Sequence, residues 1–260
     1  SIPAKRKRKP APPRRFERAK PGDLWQTDIT YLNVPWSRGP LYLIAYLDDH
    51  SRYVVGHGLF THQRADIAID VFLEACRRFG KPREVLSDQG RQYFAWRGKS
   101  AFQKMLGKEG VAHVVARAHH PMTVGKTERF WETLKRELWD RVHPKDLEEA
   151  RARIAHFVAH HNHQRPHQSL EGLVPADRFF GVASEVRAAM EQEIAKNELR
   201  LALGEELRKP VYLVGQVDGQ TVSMHGEQGR LVVQTPDGKR HEIEAKDLGT
   251  LPSQKEQRHE

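Results

Sequence analysis

Cysteine is almost absent: Cys76 is the single one in 260 residues. That excludes an intramolecular disulfide and any zinc site built on several thiolates, and a reducing, cytoplasmic setting is expected. Long apolar runs are missing as well. No stretch approaches the roughly 20 residues that a membrane-spanning helix needs, and no signal-peptide pattern opens the chain. Acid is scarce at the N-terminus, where residues 1–20 hold nine Lys or Arg against Glu17 alone. A net +8 of the formal +9 therefore sits in the first twenty residues, and the rest of the chain is close to neutral. A hydrophobic content of 38% with scattered Trp and Phe excludes disorder throughout and allows one large core with a smaller unit. The chain starts at Ser1 without an initiator Met, as expected of a piece of a longer protein.

The basic stretch KRKRKPAPPRR supplies Lys5, Arg6, Lys7, Arg8, Lys9, Arg14 and Arg15. It is too charged and too rich in Pro to bury, so it reads as an extended arm. Charge of this density suits a polyanion and predicts phosphate-backbone contacts; a solubilising tail or targeting signal is the alternative.

Order begins at Pro21. LWQTDITYL, LYLIAYLDD and RYVVGHGLF read as three strands joined by short turns, an antiparallel meander. RADIAIDVFLEACRRFG is a helix stopped by Gly80, REVLSDQG a short strand running into a loop, SAFQKMLGKEG a helix stopped by Gly110, and AHVVARA a further strand. HHPMTVGKTERFWETLKREL then passes from an awkward loop into a strong helix. The order βββαβαβα predicts a mixed sheet with helices on its faces.

Such a sheet brings together acids that are distant in sequence. Asp28 lies inside the first strand among Trp25, Ile29 and Leu32, where a lone charge is costly. Asp88 ends the fourth strand and Glu128 opens the helix after the fifth. Three carboxylates from three elements form an all-oxygen donor set for hard divalent cations such as Mg²⁺. On that helix Glu128, Glu132 and Lys135 share one stripe, while Phe130, Trp131, Leu134, Leu138 and Val142 gather on an adjoining face. An ordinary surface helix with a Glu132–Arg136 pair is the plain reading of the same pattern.

WQTDIT, SDQG and HPMTVGKTERFWETLKREL, in this order, resemble the DDE transposase and retroviral integrase superfamily, and HNHQRPHQSLEGLVPADRF resembles the stretch that follows the core in bacterial insertion-sequence transposases. The resemblance covers roughly residues 21 to 180. It implies a ribonuclease H-like fold and two Mg²⁺ ions, with Mn²⁺ as a substitute, bridged by Asp28 and held singly by Asp88 and Glu128. It further implies double-stranded DNA as partner, contacts from Lys126 and Lys135, a homo-oligomer on DNA and a place at the nucleoid. Reaction by in-line phosphoryl transfer without a covalent protein intermediate is implied too. Two features depart from the pattern. The 39 residues between Asp88 and Glu128 exceed the family's usual spacing, with AWRGK at 95–99 as a small loop insertion, and Gln89 stands where Asn is expected. A nuclease of the same fold that cuts without joining, and a catalytically idle DNA-binding protein, are the competing readings.

The expected layout is a basic arm or linker (1–20), a ribonuclease H-like α/β core with a helical extension (21–182), a helical connector (183–209), a small SH3-like β-barrel (210–250) and a polar tail (251–260). Asp48 and Asp49 read as a hairpin turn rather than as catalytic acids. Ser87 and His119 lack an orienting third group for nucleophilic catalysis. His156, His160, His161, His163 and His167 read as polar side chains laid near DNA or a second subunit, with a zinc site as the minor alternative.

Overall fold

The computed structural model describes residues 17–116, 125–204, 212–217, 220–227, 230–235 and 239–244. The arm residues Lys5 to Arg15, the loop residues 117–124 with His119, and the polar tail lie outside them. The first unit runs β1 (Leu24–Leu32), β2 (Leu41–Asp48), β3 (Val54–Phe60), α1 (Ala65–Phe79), β4 (Glu84–Ser87), α2 (Ala101–Glu109), β5 (Ala112–Val115) and α3 (Gly125–Leu134), in the predicted order. Its five strands lie in the order β3-β2-β1-β4-β5. The meander pairs antiparallel and β1–β4 and β4–β5 pair parallel, which makes the mixed sheet.

The period of two along the strands decides what each helix covers. Tyr42, Ile44 and Tyr46 of β2 face α1, where Ile67, Ala68, Val71, Phe72 and Ala75 are packed. Leu41, Leu43, Ala45 and Leu47 point the other way, onto Phe130, Trp131 and Leu134 of α3 and onto α4 (Leu147–His163). In β1, Trp25 and Ile29 join the first core and Leu32 the second. Asp28 shares the parity of Leu32, so it stands on the α3 side.

Helix α3 continues into a single π-helical turn (Lys135–Trp139) and ends there, short of Val142. The widened turn breaks the i,i+4 register. Arg136 accordingly pairs with Glu137 at 3.2 Å and not with Glu132. Arg165 clamps the same Glu137 from beyond α4 by both guanidinium nitrogens.

β3 is an edge strand, and α4 closes its open side. Asn162 accepts from the Val54 N–H (2.9 Å) and donates to the Val54 carbonyl (3.0 Å), as a neighbouring strand would. Arg151 donates to the Leu59 carbonyl at 3.2 Å. The histidine-rich end of α4 is thus partly internal, contrary to the reading of these residues as a DNA or subunit surface. His161 is buried, its Nε2 3.1 Å from the Arg52 carbonyl, with the rings of Phe130 and His167 against it. Burial pulls the His161 imidazole down to about 3 and that of His167 to about 4, so both are neutral at ordinary pH. A carbonyl only accepts, which puts the His161 proton on Nε2. His156 and His160 are exposed on α4. Among the described residues no group of three His, Cys, Asp or Glu is placed to hold a metal ion.

A short helix α5 (Pro175–Phe179) and the connector α6 (Ala183–Ala202) follow. The last strands, β6 (Tyr212–Val217), β7 (Gln220–Glu227), β8 (Arg230–Gln234) and β9 (Arg240–Glu244), form an antiparallel meander paired in sequence order. The expected strands are present, and no β9–β6 pairing closes them into a barrel among the described residues. No helix among the described residues is long and apolar enough to cross a membrane.

Replacing Asn162 by Leu strips both β3 edge groups of their partners. The expected loss is about 2–4 kcal/mol, at about 1–3 for each orphaned group, read as a lower urea midpoint with an unchanged m-value. A shift below about 0.5 kcal/mol would mean that water replaces the clamp without penalty.

Candidate active site

The site is built where the parallel pair β1–β4 meets the first turn of α3. Asp28 sits near the middle of β1. Its Oδ1 accepts from the Ile29 N–H at 2.8 Å and its Oδ2 from the Trp131 indole at 3.1 Å. Burial pushes the Asp28 carboxyl above its usual range, and the like charges of Asp88 and Glu128 add to this; the Ile29 and Trp131 hydrogen bonds work against it. Asp28, Asp88 and Glu128 come from three elements, and the last two stand near enough to Asp28 to act on its carboxyl. They are not drawn into a tight ligand cluster among the described residues. Like charges near a poorly solvated carboxylate disfavour its ionised form.

Asp88 follows the last residue of β4, and its Oδ1 accepts from the Gly90 N–H at 2.9 Å. A Cβ on Gly90 would stand 2.8 Å from that oxygen and 2.4 Å from Gln92 Nε2, so both side chains pack closely over the glycine. Beneath it, the fully buried Tyr93 meets Thr27 Oγ1 at 3.0 Å through its hydroxyl, which ties the loop to the residue before Asp28. Ser87 donates to the Asp88 carbonyl (2.9 Å) and meets His113 Nε2 at 2.8 Å. Its hydroxyl is committed to this packing, in line with its rejection as a nucleophile.

Glu128 is exposed in the first turn of α3, and Lys135 is half-exposed two turns on. Lys126 is placed differently from its expected DNA contact. Its ammonium reaches the carboxylate of Asp49 at 2.5 Å and the Asp49 carbonyl at 3.0 Å. Asp49 is fully buried and also accepts from Gln26 Nε2 and the Arg18 N–H, both at 2.6 Å. Asp48 caps the hairpin through the Ser51 N–H and hydroxyl, as its turn reading predicts. Asp49 instead works as a hub that fastens α3 to β1 and to the root of the arm. The root itself is fixed: Glu17 pairs with Arg52 and Arg178, and Arg18 with Glu84, so the core begins before Pro21.

Sequence reasoning missed three of these interactions. Trp131 was legible as an apolar anchor, and its position three residues after Glu128 was the available sign that its indole faces the site. The Tyr93–Thr27 and Asp49–Lys126 pairs join residues more than sixty positions apart, and no local pattern announces them.

Two family models, each described as an integrase core domain, match residues 18–121 and 109–175. The chain belongs to the DDE transposase and integrase superfamily. It is 31% identical over 165 residues to the transposase for insertion sequence element IS904 of Lactococcus lactis subsp. lactis, covering 62% of this chain and 63% of that protein. It is 28% identical over 163 residues to the transposase InsF for insertion sequence IS3A of Escherichia coli K12, covering 62% of this chain and 54% of that one. The chain thus spans under two thirds of the length of these relatives. In fold it resembles a chain of the simian T-cell lymphotropic virus intasome solved by cryo-EM with a PP2A regulatory subunit, with a TM-score of 0.54, 16% identity, and coverage of 88% of this chain and 78% of that one.

Lys126→Met leaves the buried Asp49 carboxylate without its cation. The expected cost is about 3 kcal/mol, the scale of breaking a buried pair from one side, and Lys126→Met with Asp49→Asn should recover part of it. An unchanged denaturation curve for the single variant would free Lys126 for a role at DNA.

Proposed function

We propose that this chain is the catalytic portion of a transposase that exposes a 3′ hydroxyl at an element end and joins it to target DNA. The observation that supports the reading is the placement of Asp28 within β1, Asp88 just after the neighbouring β4 and Glu128 in the first turn of α3, in an integrase-type mixed sheet. Mg²⁺, or Mn²⁺ in its place, would be held by these three carboxylates and would supply Lewis-acid activation of the attacking and leaving oxygens. Trp131 and the Ile29 amide keep the Asp28 carboxylate from turning away, and the Gly90 amide does the same for Asp88. Lys135, half-exposed in the π turn that follows α3, would hold a phosphate of the DNA end. The chemistry is in-line displacement at phosphorus: an oxygen of water, and later the freed 3′ oxygen, forms the new P–O bond as the opposite P–O bond breaks. No side chain is consumed.

The arm, with Lys5, Arg6, Lys7, Arg8, Lys9, Arg14 and Arg15, would track the duplex phosphate by phosphate. The β6–β9 meander is read as the SH3-like module that bridges DNA ends or protomers in a homo-oligomer on double-stranded DNA.

Asp28→Asn, Asp88→Asn and Glu128→Gln should each reduce joining of a pre-cleaved end to background while duplex binding is retained; Glu132→Gln should be much milder. Near-normal joining by one of the three removes that residue from the site. Cleavage without joined product in the unaltered chain would favour the nuclease reading, and binding without either the idle one.

A chain lacking residues 1–16 keeps the Glu17 and Arg18 anchors. It should bind duplex DNA more weakly, its log-log salt slope falling by about 0.9 for every phosphate that the arm no longer neutralises. Equal slopes for the two chains would make the arm a tail without a DNA role.

A further inference from the structure

The inserted loop between Asp88 and α2 is bound tightly at its base and bare at its tip. The Tyr93 and Phe94 N–H groups both donate to the Gly90 carbonyl at 2.9 Å. Ser100 caps α2 and donates its hydroxyl to the Tyr93 carbonyl at 2.7 Å. Gln103 Oε1 accepts from the N–H groups of Ser100 (2.9 Å) and Ala95 (3.4 Å). Residues 94–99 are thus pinched into a prong whose root, Tyr93, is tied to the strand that carries Asp28.

At the tip stands Trp96, 81% exposed, the most exposed large hydrophobic side chain among the described residues. Phe94 meets it edge-on at 5.6 Å and covers little of its face. Arg91, Arg97 and Lys99 are exposed on the same loop, and residues 89–100 contain no acid. An indole face framed by cations, a few residues from Asp88, fits a nucleobase with its phosphates better than an apolar protein partner. Inside a duplex every base already has neighbours on both faces, and a wedge must first unstack them. The last base of a DNA end offers one face without that penalty.

We propose that Trp96 stacks on the terminal base of the DNA end held at the active site, with Arg97 and Lys99 on the adjacent phosphates. The identity of the ligand as a DNA end rests on the transposase reading above; the aromatic and cationic prong itself does not.

The test uses the full chain and two short blunt duplexes, one carrying 2-aminopurine as its terminal nucleotide and one carrying it in the interior. No divalent ion is added. Binding should quench the terminal probe and leave the interior one nearly unchanged. Trp96→Ala should abolish that quench and weaken binding about tenfold, with a thermal melt like that of the unaltered chain. Trp96→Phe should restore most of both. Arg97→Ala with Lys99→Ala should lower the salt slope by about 1.8 and keep the quench at saturating protein. A quench that survives Trp96→Ala, an unchanged affinity, or a response confined to the interior probe would each overturn the proposal, the last in favour of a wedge into target duplex. Since no chemistry is needed, absence of joining would sink the transposase reading alone, and loss of stacking with joining intact would sink only this inference.

Discussion

A carboxylate placed in the central strand of the sheet, beside two other acids, is the constraint around which this protein is arranged. Asp28 occupies β1, which has β2 on one side and β4 on the other. Such a group is costly to ionise when buried near like charges. It is held by the adjacent amide and the Trp131 indole. On the function proposed here, the same field would suit a divalent cation. Apolar layers on the two faces of the sheet surround Asp28.

Much of the remaining structure fixes α3 relative to that strand. Phe130, Trp131 and Leu134 pack it onto the β2 face. Lys126 fastens its first turn to Asp49, and Arg165 holds Glu137 in the π turn at its other end. Glu128 is itself exposed, so its position depends on these anchors on either side of it. Asp88 is governed from below, through the Gly90 amide and through Tyr93 on Thr27. The prong that bears Trp96 grows from the same root, Tyr93, which ties the loop to the strand that carries Asp28.

Helix α4 serves a different need. An edge strand with open N–H and C=O groups invites pairing with another chain. Asn162 and Arg151 occupy that edge, and the neutral, buried His161 ties the end of α4 to the Arg52 carbonyl. Histidines that look like a ligand set in sequence are in part structural: His161 is held by the Arg52 carbonyl and packed between the rings of Phe130 and His167.

The sequence by itself determined the order of elements in the core and the glycines that stop α1 and α2. Alternation in LWQTDITYL and LYLIAYLDD and the amphipathic face of α3 are local patterns, and hydrophobic period reports directly which face is buried. It also located the charge of the arm. Only the tertiary structure decided where single polar groups went. Lys126 and Lys135 are both lysines of one helix, yet one reaches the buried Asp49 and the other does not. The Glu132–Arg136 pair was a fair reading of i,i+4 spacing until the π turn shifted the register. Asp49 read as a turn residue because nothing local reveals that Gln26, Arg18 and Lys126 converge on it. A hydrogen bond depends on a few tenths of an ångström between groups far apart in the chain, whereas burial depends on a periodicity that any short window of sequence contains.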